Sequence, residues 1–223
     1  AIIDTRDNRM KQTATITVED VSEIQEMYLD IERNQLIAVC DGYVGGKWND
    51  DDYGYGQRAN TTAVTYDISD RENPKEVGRV SQSGYYNSSR IADGYLYLFS
   101  DYYVTLDGIT AKNPKSYIPL VNDNLIEETD ICLPSISKAD MYSIITSVSL
   151  ENPNETAHSK ALLADGGNLY VSNDNIYFYE NVWQYSGKDV TTIRKVSYES
   201  GKLTAGAQCK IDGCAEDIQR ISE

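Results

Sequence analysis

The sequence is poor in several residue types, and each shortage argues against a class of function. Its 223 residues contain a single histidine, which excludes a metal site built from several histidines. Lysine and arginine total 20 against 35 aspartates and glutamates, and the resulting net charge of −15 repels phosphate backbones, so we expect no nucleic-acid partner. No apolar run approaches the roughly 18 residues that a membrane-spanning helix requires, so we expect this segment not to be transmembrane.

The four cysteines offer one candidate disulfide bridge. Cys209 and Cys214, in the segment CKIDGC, are close enough in sequence to be bridged across a turn, which is consistent with an oxidising compartment. Their spacing is not that of a C-x-x-C zinc motif. Small buried thiols in strands are the alternative interpretation.

Tyrosine and repetition are what the sequence has in abundance. Tyrosine occurs 18 times against two phenylalanines and two tryptophans, and its ring and hydroxyl suit the half-buried surface of a sheet. A phrase of four short strands, A to D, recurs in three copies, with β-branched runs such as TTAVTYDI and TTIRKVSY. The predicted strands are 24–30, 35–40, 62–68 and 76–82 in the first copy, 87–92, 95–100, 142–150 and 160–164 in the second, and 169–172, 176–179, 191–198 and 203–209 in the third.

Repeats of a four-stranded antiparallel unit predict an all-β, β-propeller-like fold, because each sheet packs its face against the next to bury its apolar side chains. A β-sandwich is the alternative. The segment KQTATITVE predicts a lone strand D before the first copy, and AEDIQRISE predicts a lone strand A after the third. We therefore expect one propeller-type domain over residues 1–223, with partial blades at both ends, as a fragment of a ring completed by further sequence or by another chain.

The run TTAVTYDISDRENPKEVGRVSQSGYYNSSRIADGYLYLFSDYYV, followed by NPKSYIPLV, DICLP and KALLADGGNLYVSNDNIYFY, carries a family resemblance. It resembles secreted bacterial and archaeal proteins that contain a C-terminal β-propeller domain distantly related to WD40 repeats. The resemblance implies an extracellular or membrane-tethered protein. It brings no established catalytic or binding residues to this chain.

The copies differ mainly in the connection between strands B and C. The A–B and C–D turns are short throughout, whereas the B–C connection is long in two of the three copies. An antiparallel meander places every B–C connection at the same end of the sheets, so the insertions are predicted to project from one face. Because binding residues concentrate in long loops on rigid scaffolds, we expect this face to be the binding face.

The first insertion, DGYVGGKWNDDDYGYGQRAN, combines aromatic and acidic residues. The aromatic candidates for stacking on a sugar ring or for contact with a protein are Trp48, Tyr53 and Tyr55. The candidate Ca²⁺ ligands, and the only cofactor contacts that we expect, are Asp50, Asp51 and Asp52. Gly54 stands where an EF-hand would need its third ligand, and a solvated acidic loop is the alternative.

The other two insertions differ in apolar content. The second, YYVTLDGITAKNPKSYIPLVNDNLIEETDICLP, is predicted to lie on the tops of the blades as a lid. Its packing residues are Ile118, Leu120, Val121, Leu125 and Ile126, and its acidic residues predicted to line the covered space are Asp123, Glu127, Glu128 and Asp130. The third, ENVWQYSGKDV, adds Trp183 and Tyr185 as candidate binding residues, with packing between adjacent loops as the alternative.

The expected function is that of a non-catalytic extracellular or cell-surface scaffold that binds a protein or a carbohydrate through the B–C face. The alternative is a carbohydrate-active hydrolase, for which Asp51 or Glu127 could serve in a carboxylate pair. His158 is predicted to lie in the C–D turn ETAHSK, on the opposite face from the insertions, which makes it an unsuitable base for nucleophilic catalysis. Self-association through open blade edges is a further expectation.

Overall fold

The computed structural model describes residues 1–6, 9–43, 59–104, 109–133, 139–164, 166–182 and 187–215. A two-stranded hairpin is formed by β1 (Ile2–Asp4) and β2 (Lys11–Ala14). The first copy contains β3 (Glu23–Asp30), β4 (Gln35–Tyr43), β5 (Ala59–Asp67) and β6 (Lys75–Ser83). The second copy and its insertion contain β7 (Tyr85–Ala92), β8 (Tyr95–Tyr103), β9 (Leu120–Val121), β10 (Asn124–Leu125), β11 (Ile131–Cys132), β12 (Met141–Ser149) and β13 (Thr156–Ala164). The third copy contains β14 (Asn168–Val171), β15 (Asn175–Val182), β16 (Val190–Glu199) and β17 (Lys202–Asp212).

Each copy is a meander in which A, B, C and D are neighbours in that order, as the sequence predicts. The blades are β3–β4–β5–β6, β7–β8–β12–β13 and β14–β15–β16–β17. The A–B turn of the second blade shows how local sequence produces such a hairpin. Asp93 and Gly94 both adopt positive φ, 51° and 78°, as a two-residue hairpin of type I′ requires.

Apolar cores lie between consecutive blades. Side chains alternate between the two faces of a strand, and β8 in the central blade is apolar on both. Leu96 and Leu98 belong to the core shared with the first blade, whereas Tyr97 and Phe99 belong to the core shared with the third. The central blade is therefore covered on both sides, which is the packing of a propeller.

The N-terminal partial blade differs from its prediction. Strand D was expected over 11–19 and without a partner, but β2 ends at Ala14 and pairs with β1, which the sequence did not predict. Residues 216–223, predicted as the start of a further blade, lie outside the described residues, apart from Ala215 before them.

The second insertion does not form a lid on the blade tops, and that prediction is wrong. Strand β9 pairs with β6 at the outer edge of the first blade, and β11 pairs in parallel with β13 at the outer edge of the second. Val121 and Ile126 are buried in the core between these two blades. The insertion therefore joins two blade edges, because its short strands satisfy backbone groups that an outer strand leaves open.

Candidate functional site

The predicted aromatic and calcium-binding residues cannot be placed in the fold. The residues concerned, all outside the described ranges, are Trp48, Asp50, Asp51, Asp52, Tyr53, Tyr55, Trp183 and Tyr185. The structure does describe the strand ends from which their insertions emerge, such as Tyr43 at the end of β4 and Ala59 at the start of β5. The candidate site is therefore built from these strand ends and from the described part of the second insertion.

A recurring polar pair fixes the B–C end of each blade. Asp41, Asp101 and Asn181 occupy the same place in strand B, and each faces a hydroxyl residue in strand C. The hydroxyl oxygens of Thr61, Ser143 and Thr191 lie 3.5, 2.7 and 2.8 Å from the respective side-chain oxygens. Sequence reasoning missed these pairs, although aligning VCD, FSD and YEN across the copies would have revealed them.

In the first and third blades the same pair also holds the chain that leaves strand D. The Tyr86 backbone N–H donates to Asp41 Oδ1 at 2.7 Å, and the Ala215 N–H donates to Asn181 Oδ1 at 3.1 Å. Each of these residues lies two positions after a glycine with φ near 100°, 96° at Gly84 and 99° at Gly213. Only glycine adopts this conformation readily, so the connection to the next blade has a fixed geometry.

Burial raises the pKa of two groups at this junction, the Asp41 carboxyl and the Cys40 thiol. Burial raises the pKa of the Asp41 carboxyl and outweighs the hydrogen bonds from the Tyr86 N–H, Gln25 and Thr61, which lower it. The pKa of the neighbouring Cys40 thiol is likewise raised, to about 11, chiefly by burial. Neither group is arranged as an activated acid or nucleophile, and both belong to the scaffold that supports the first insertion.

One cavity at this end is polar, and we call it the polar cavity. Its volume is about 580 Å³, and its lining includes Tyr43, Asn60, Thr62, Ser81 and Asn122. Asn122 belongs to the turn between β9 and β10, and its side-chain oxygen accepts a hydrogen bond of 2.9 Å from the Ser81 N–H. The first blade and the second insertion thus build this cavity together.

A second cavity is largely apolar, and we call it the apolar cavity. Its volume is about 740 Å³, and its walls include Ile118, Leu125, Ile126, Leu133 and Tyr142. Two carboxylates also line it, those of Glu127 and Glu128. These two residues were predicted to line the space beneath a lid on the blade tops, and they line this cavity of the insertion instead.

Asp130, also predicted to line that space, instead forms a cluster with two residues of β13. Lys160 Nζ donates to Asp130 Oδ1 at 2.8 Å, and His158 Nε2 lies 3.3 Å from the same oxygen. Burial raises the pKa of Asp130, but the hydrogen bond and charge of Lys160 and the contact with His158 outweigh it, so the pKa is lowered. This cluster fastens the insertion to the edge of the second blade.

The position predicted for His158 is wrong. It lies in β13 rather than in a turn, its side chain is 26% exposed, and it faces the insertion rather than lying away from it. Its Nδ1 accepts a hydrogen bond of 3.0 Å from the Leu203 N–H in β17. His158 therefore connects the insertion, the second blade and the third blade.

The structure can be compared with the predicted disulfide bridge and with the expectations for metal sites and membrane helices. Cys209 is an exposed free thiol on β17, so the structure contains no disulfide bridge between Cys209 and Cys214. The bridge remains a prediction. Across the described ranges, no group of three or more histidine, cysteine, aspartate or glutamate residues is placed to hold a metal ion. Within the same part of the chain, no helix has the length and apolar character needed to cross a membrane.

Comparison with known proteins identifies the family. No curated protein matches the sequence. Among solved structures, an acylaminoacyl peptidase from Pyrococcus horikoshii aligns with 82% of this chain at 8% identity and a TM-score of 0.29. The alignment covers 32% of the peptidase, so this chain spans about a third of that protein's length. The sequence model described as "Beta propeller domain" matches residues 1–221, and the chain therefore belongs to the β-propeller domain family.

Proposed function

We propose that this protein is a non-catalytic scaffold of the extracellular space or cell surface that binds a protein partner through its long B–C connections. The observation that carries the proposal is the apolar cavity, which the second insertion forms while joined to two blades. Resemblance to secreted propeller proteins supports the location.

The cavity's supports are formed before any ligand binds. The Asn122 N–H donates to the Ser81 carbonyl at 2.8 Å, and the Leu120 N–H donates to Ser83 Oγ at 2.9 Å. Within the insertion, the Ile126 N–H donates to the Pro119 carbonyl at 3.1 Å. A preorganised wall loses less conformational entropy on binding than a flexible loop would, which favours affinity.

The lining favours an apolar side chain that is next to a positive charge. The volume of about 740 Å³ falls within the range of small-molecule and side-chain pockets. Leu133 is 72% exposed and Leu125 is 37% exposed, so apolar surface is available at the rim. Glu127 and Glu128 add negative charge, and a chain with a net charge of −15 attracts cations to this surface. The partner that fits is a basic and apolar segment of another protein.

A hydrolase is less well supported by this arrangement. Glycoside hydrolysis needs two carboxyl groups facing each other across the scissile bond, roughly 5–9.5 Å apart. Glu127 and Glu128 are successive residues at the start of one short 3-10 turn (Glu128–Asp130), so they reach the cavity from the same wall. We therefore favour binding over catalysis.

The test uses two probes that differ in the sign of their charge. Naphthylmethylammonium and naphthoate are titrated separately into the intact protein, with methyl NMR signals of Ile118, Ile126 and Leu133 as the readout. We expect the cation to shift these signals at lower concentration than the anion, and the double variant Glu127→Gln/Glu128→Gln to reduce that preference.

One control makes the result decisive. Leu29 is 60% exposed on β3, away from the cavity, and its methyl signals are expected not to move. Equal response of Leu29, or no response of the cavity methyls to either probe, would overturn the proposal. If the protein hydrolyses chromogenic glycosides and Glu127→Gln abolishes that hydrolysis, the hydrolase is the correct function and the proposal is wrong.

A further inference from the structure

We infer that the polar cavity is a second binding site and that it takes a neutral carbohydrate. This inference goes beyond the proposed function, because it concerns different residues and a different ligand class. It rests on the hydroxyl and amide groups of the cavity floor, on the buried Asn60 oxygen that lacks a donor, and on an aromatic residue at the cavity edge.

The floor of the polar cavity carries hydroxyl and amide groups from two paired strands. Thr62 on β5 lies opposite Ser81 on β6, and their side-chain oxygens are 3.3 Å apart. Asn60 and Ser83 form the next pair on the same face of the sheet. Such groups both donate and accept hydrogen bonds, and sugar hydroxyls require the same combination.

One residue of this floor holds a buried acceptor without a hydrogen-bond donor. Asn60 Oδ1 has no partner among the described residues. Gln82, the neighbour of Ser81, points instead to the second blade, where its amide nitrogen donates to Ser100 Oγ at 2.7 Å. An unsatisfied buried acceptor costs about 1–3 kcal/mol, so a ligand that supplies O–H donors is favoured.

The charges around the cavity argue against an anionic ligand. Arg79, its basic residue, donates to both carboxylate oxygens of Glu76 at 2.9 Å and is thereby neutralised. Asp20 and Asp123 contribute carboxylates to the lining. A phosphate or sulfate would meet negative charge without a free cation, whereas a neutral sugar would not.

The face that carries the cavity is not built for packing against an apolar blade at this point. Ala63 and Val80, which alternate with Thr62 and Ser81 along β5 and β6, belong to the core shared with the second blade. The side chains of Thr62 and Ser81 therefore point to the other face. The hydroxyl groups at this point of that face suit a polar ligand.

Tyr43 completes the site. It ends β4 and lines the cavity where the first insertion begins. Aromatic rings at the edge of a hydroxyl-rich pocket stack on the apolar face of a sugar ring, which adds affinity without charge. The combination of hydroxyl groups, one buried acceptor without a donor and one aromatic ring is what assigns the ligand class.

The experiment uses an array of neutral oligosaccharides, with sulfated and sialylated members as charged comparisons, followed by calorimetry on the neutral glycan that binds best. The test variant is Thr62→Val/Ser81→Ala, which removes the hydroxyl pair with little change of shape. The second blade supplies a control, because Thr146 Oγ1 and Ser159 Oγ form a hydroxyl pair of the same kind, 3.1 Å apart, on its strands C and D, β12 and β13.

We expect neutral glycans to bind and charged ones to bind more weakly. Thr62→Val/Ser81→Ala should weaken binding by roughly tenfold or more, as the loss of one or two hydrogen bonds predicts, whereas Thr146→Val/Ser159→Ala should not. If circular dichroism shows that the test variant is unfolded, Asn60→Ala replaces it. Absence of neutral glycan binding, preference for charged glycans, or unchanged affinity in the folded variant would overturn the inference, while leaving the apolar cavity unaffected.

Discussion

The blade junction at Asp41 gives the most informative stability test. Asp41 Oδ1 accepts the Tyr86 N–H at 2.7 Å, and Oδ2 accepts the Gln25 side-chain N–H at 2.9 Å. Asp41→Ala leaves the partly buried Tyr86 N–H without an acceptor, while water replaces the exposed Gln25 contact. Because a hydrogen bond to a charged group contributes about 1.5–3 kcal/mol, we expect the free energy of unfolding to fall by about 2 kcal/mol.

Asp41→Asn should behave differently, because the third blade already uses asparagine at this place. Asn181 Oδ1 accepts the equivalent backbone N–H, that of Ala215. We therefore expect Asp41→Asn to change the free energy of unfolding by less than about 1 kcal/mol at neutral pH, since it keeps the acceptor and removes a buried charge.

The pH dependence supplies an independent check. Burial raises the pKa of Asp41 in the folded protein, so between the unfolded value of about 3.9 and the folded value the native state binds more protons than the unfolded state. Stability from this group is therefore highest below that window and declines as pH rises through it. Asp41→Asn should abolish this contribution.

Urea denaturation of both variants, followed by circular dichroism from pH 3 to pH 8, measures these effects. Asp174→Asn, at an exposed turn position, is the matched control. The reasoning is refuted if Asp41→Ala costs less than about 0.5 kcal/mol, or if the asparagine variant loses as much stability as the alanine variant.

Three further outcomes are expected. Glu180→Ala should cost about 3–5 kcal/mol in urea denaturation, because it leaves the buried Arg194 guanidinium without its carboxylate partner, and a loss below 1 kcal/mol would contradict this. Tyr97→Phe should cost about 1–3 kcal/mol by thermal unfolding, because the Gly201 N–H donates to the Tyr97 hydroxyl at 3.0 Å in the core, and an unchanged midpoint would argue against that bond. The exposed apolar side chains of β3 should drive self-association, so sedimentation should give a mass that rises above 25.0 kDa with concentration, whereas a monomer with slowly exchanging β3 amides would count against it.

The repeat architecture was predictable because its causes are local. Alternating apolar residues and two-residue turns such as Asp93–Gly94 determine each hairpin from a few neighbouring residues. The order of strands A to D follows directly from those hairpins. Strand ends were predicted too short, for example at 95–100 against the observed Tyr95–Tyr103, because polar residues such as Asp101 interrupt the apolar pattern while still pairing with strand C.

The position of the second insertion was not predictable, because it depends on contacts between residues far apart in the sequence. Its strands β9 and β11 have two residues each, which is too short for any periodic signal. They are set by long-range pairing with β6 and β13, and so is the contact of Asp130 with His158 and Lys160. Such contacts depend on which blade edge a loop reaches, and no nearby residue encodes that.

Amide hydrogen exchange of the second insertion tests the central claim most directly. If the insertion is fixed to two blade edges and forms its cavity before binding, the amides of Asn122 and Ile126, which donate to Ser81 and Pro119, should be protected to an extent comparable with the edge strand β6. Exchange of both amides at the rate of an unstructured peptide, in a protein whose β6 remains protected, would contradict the account.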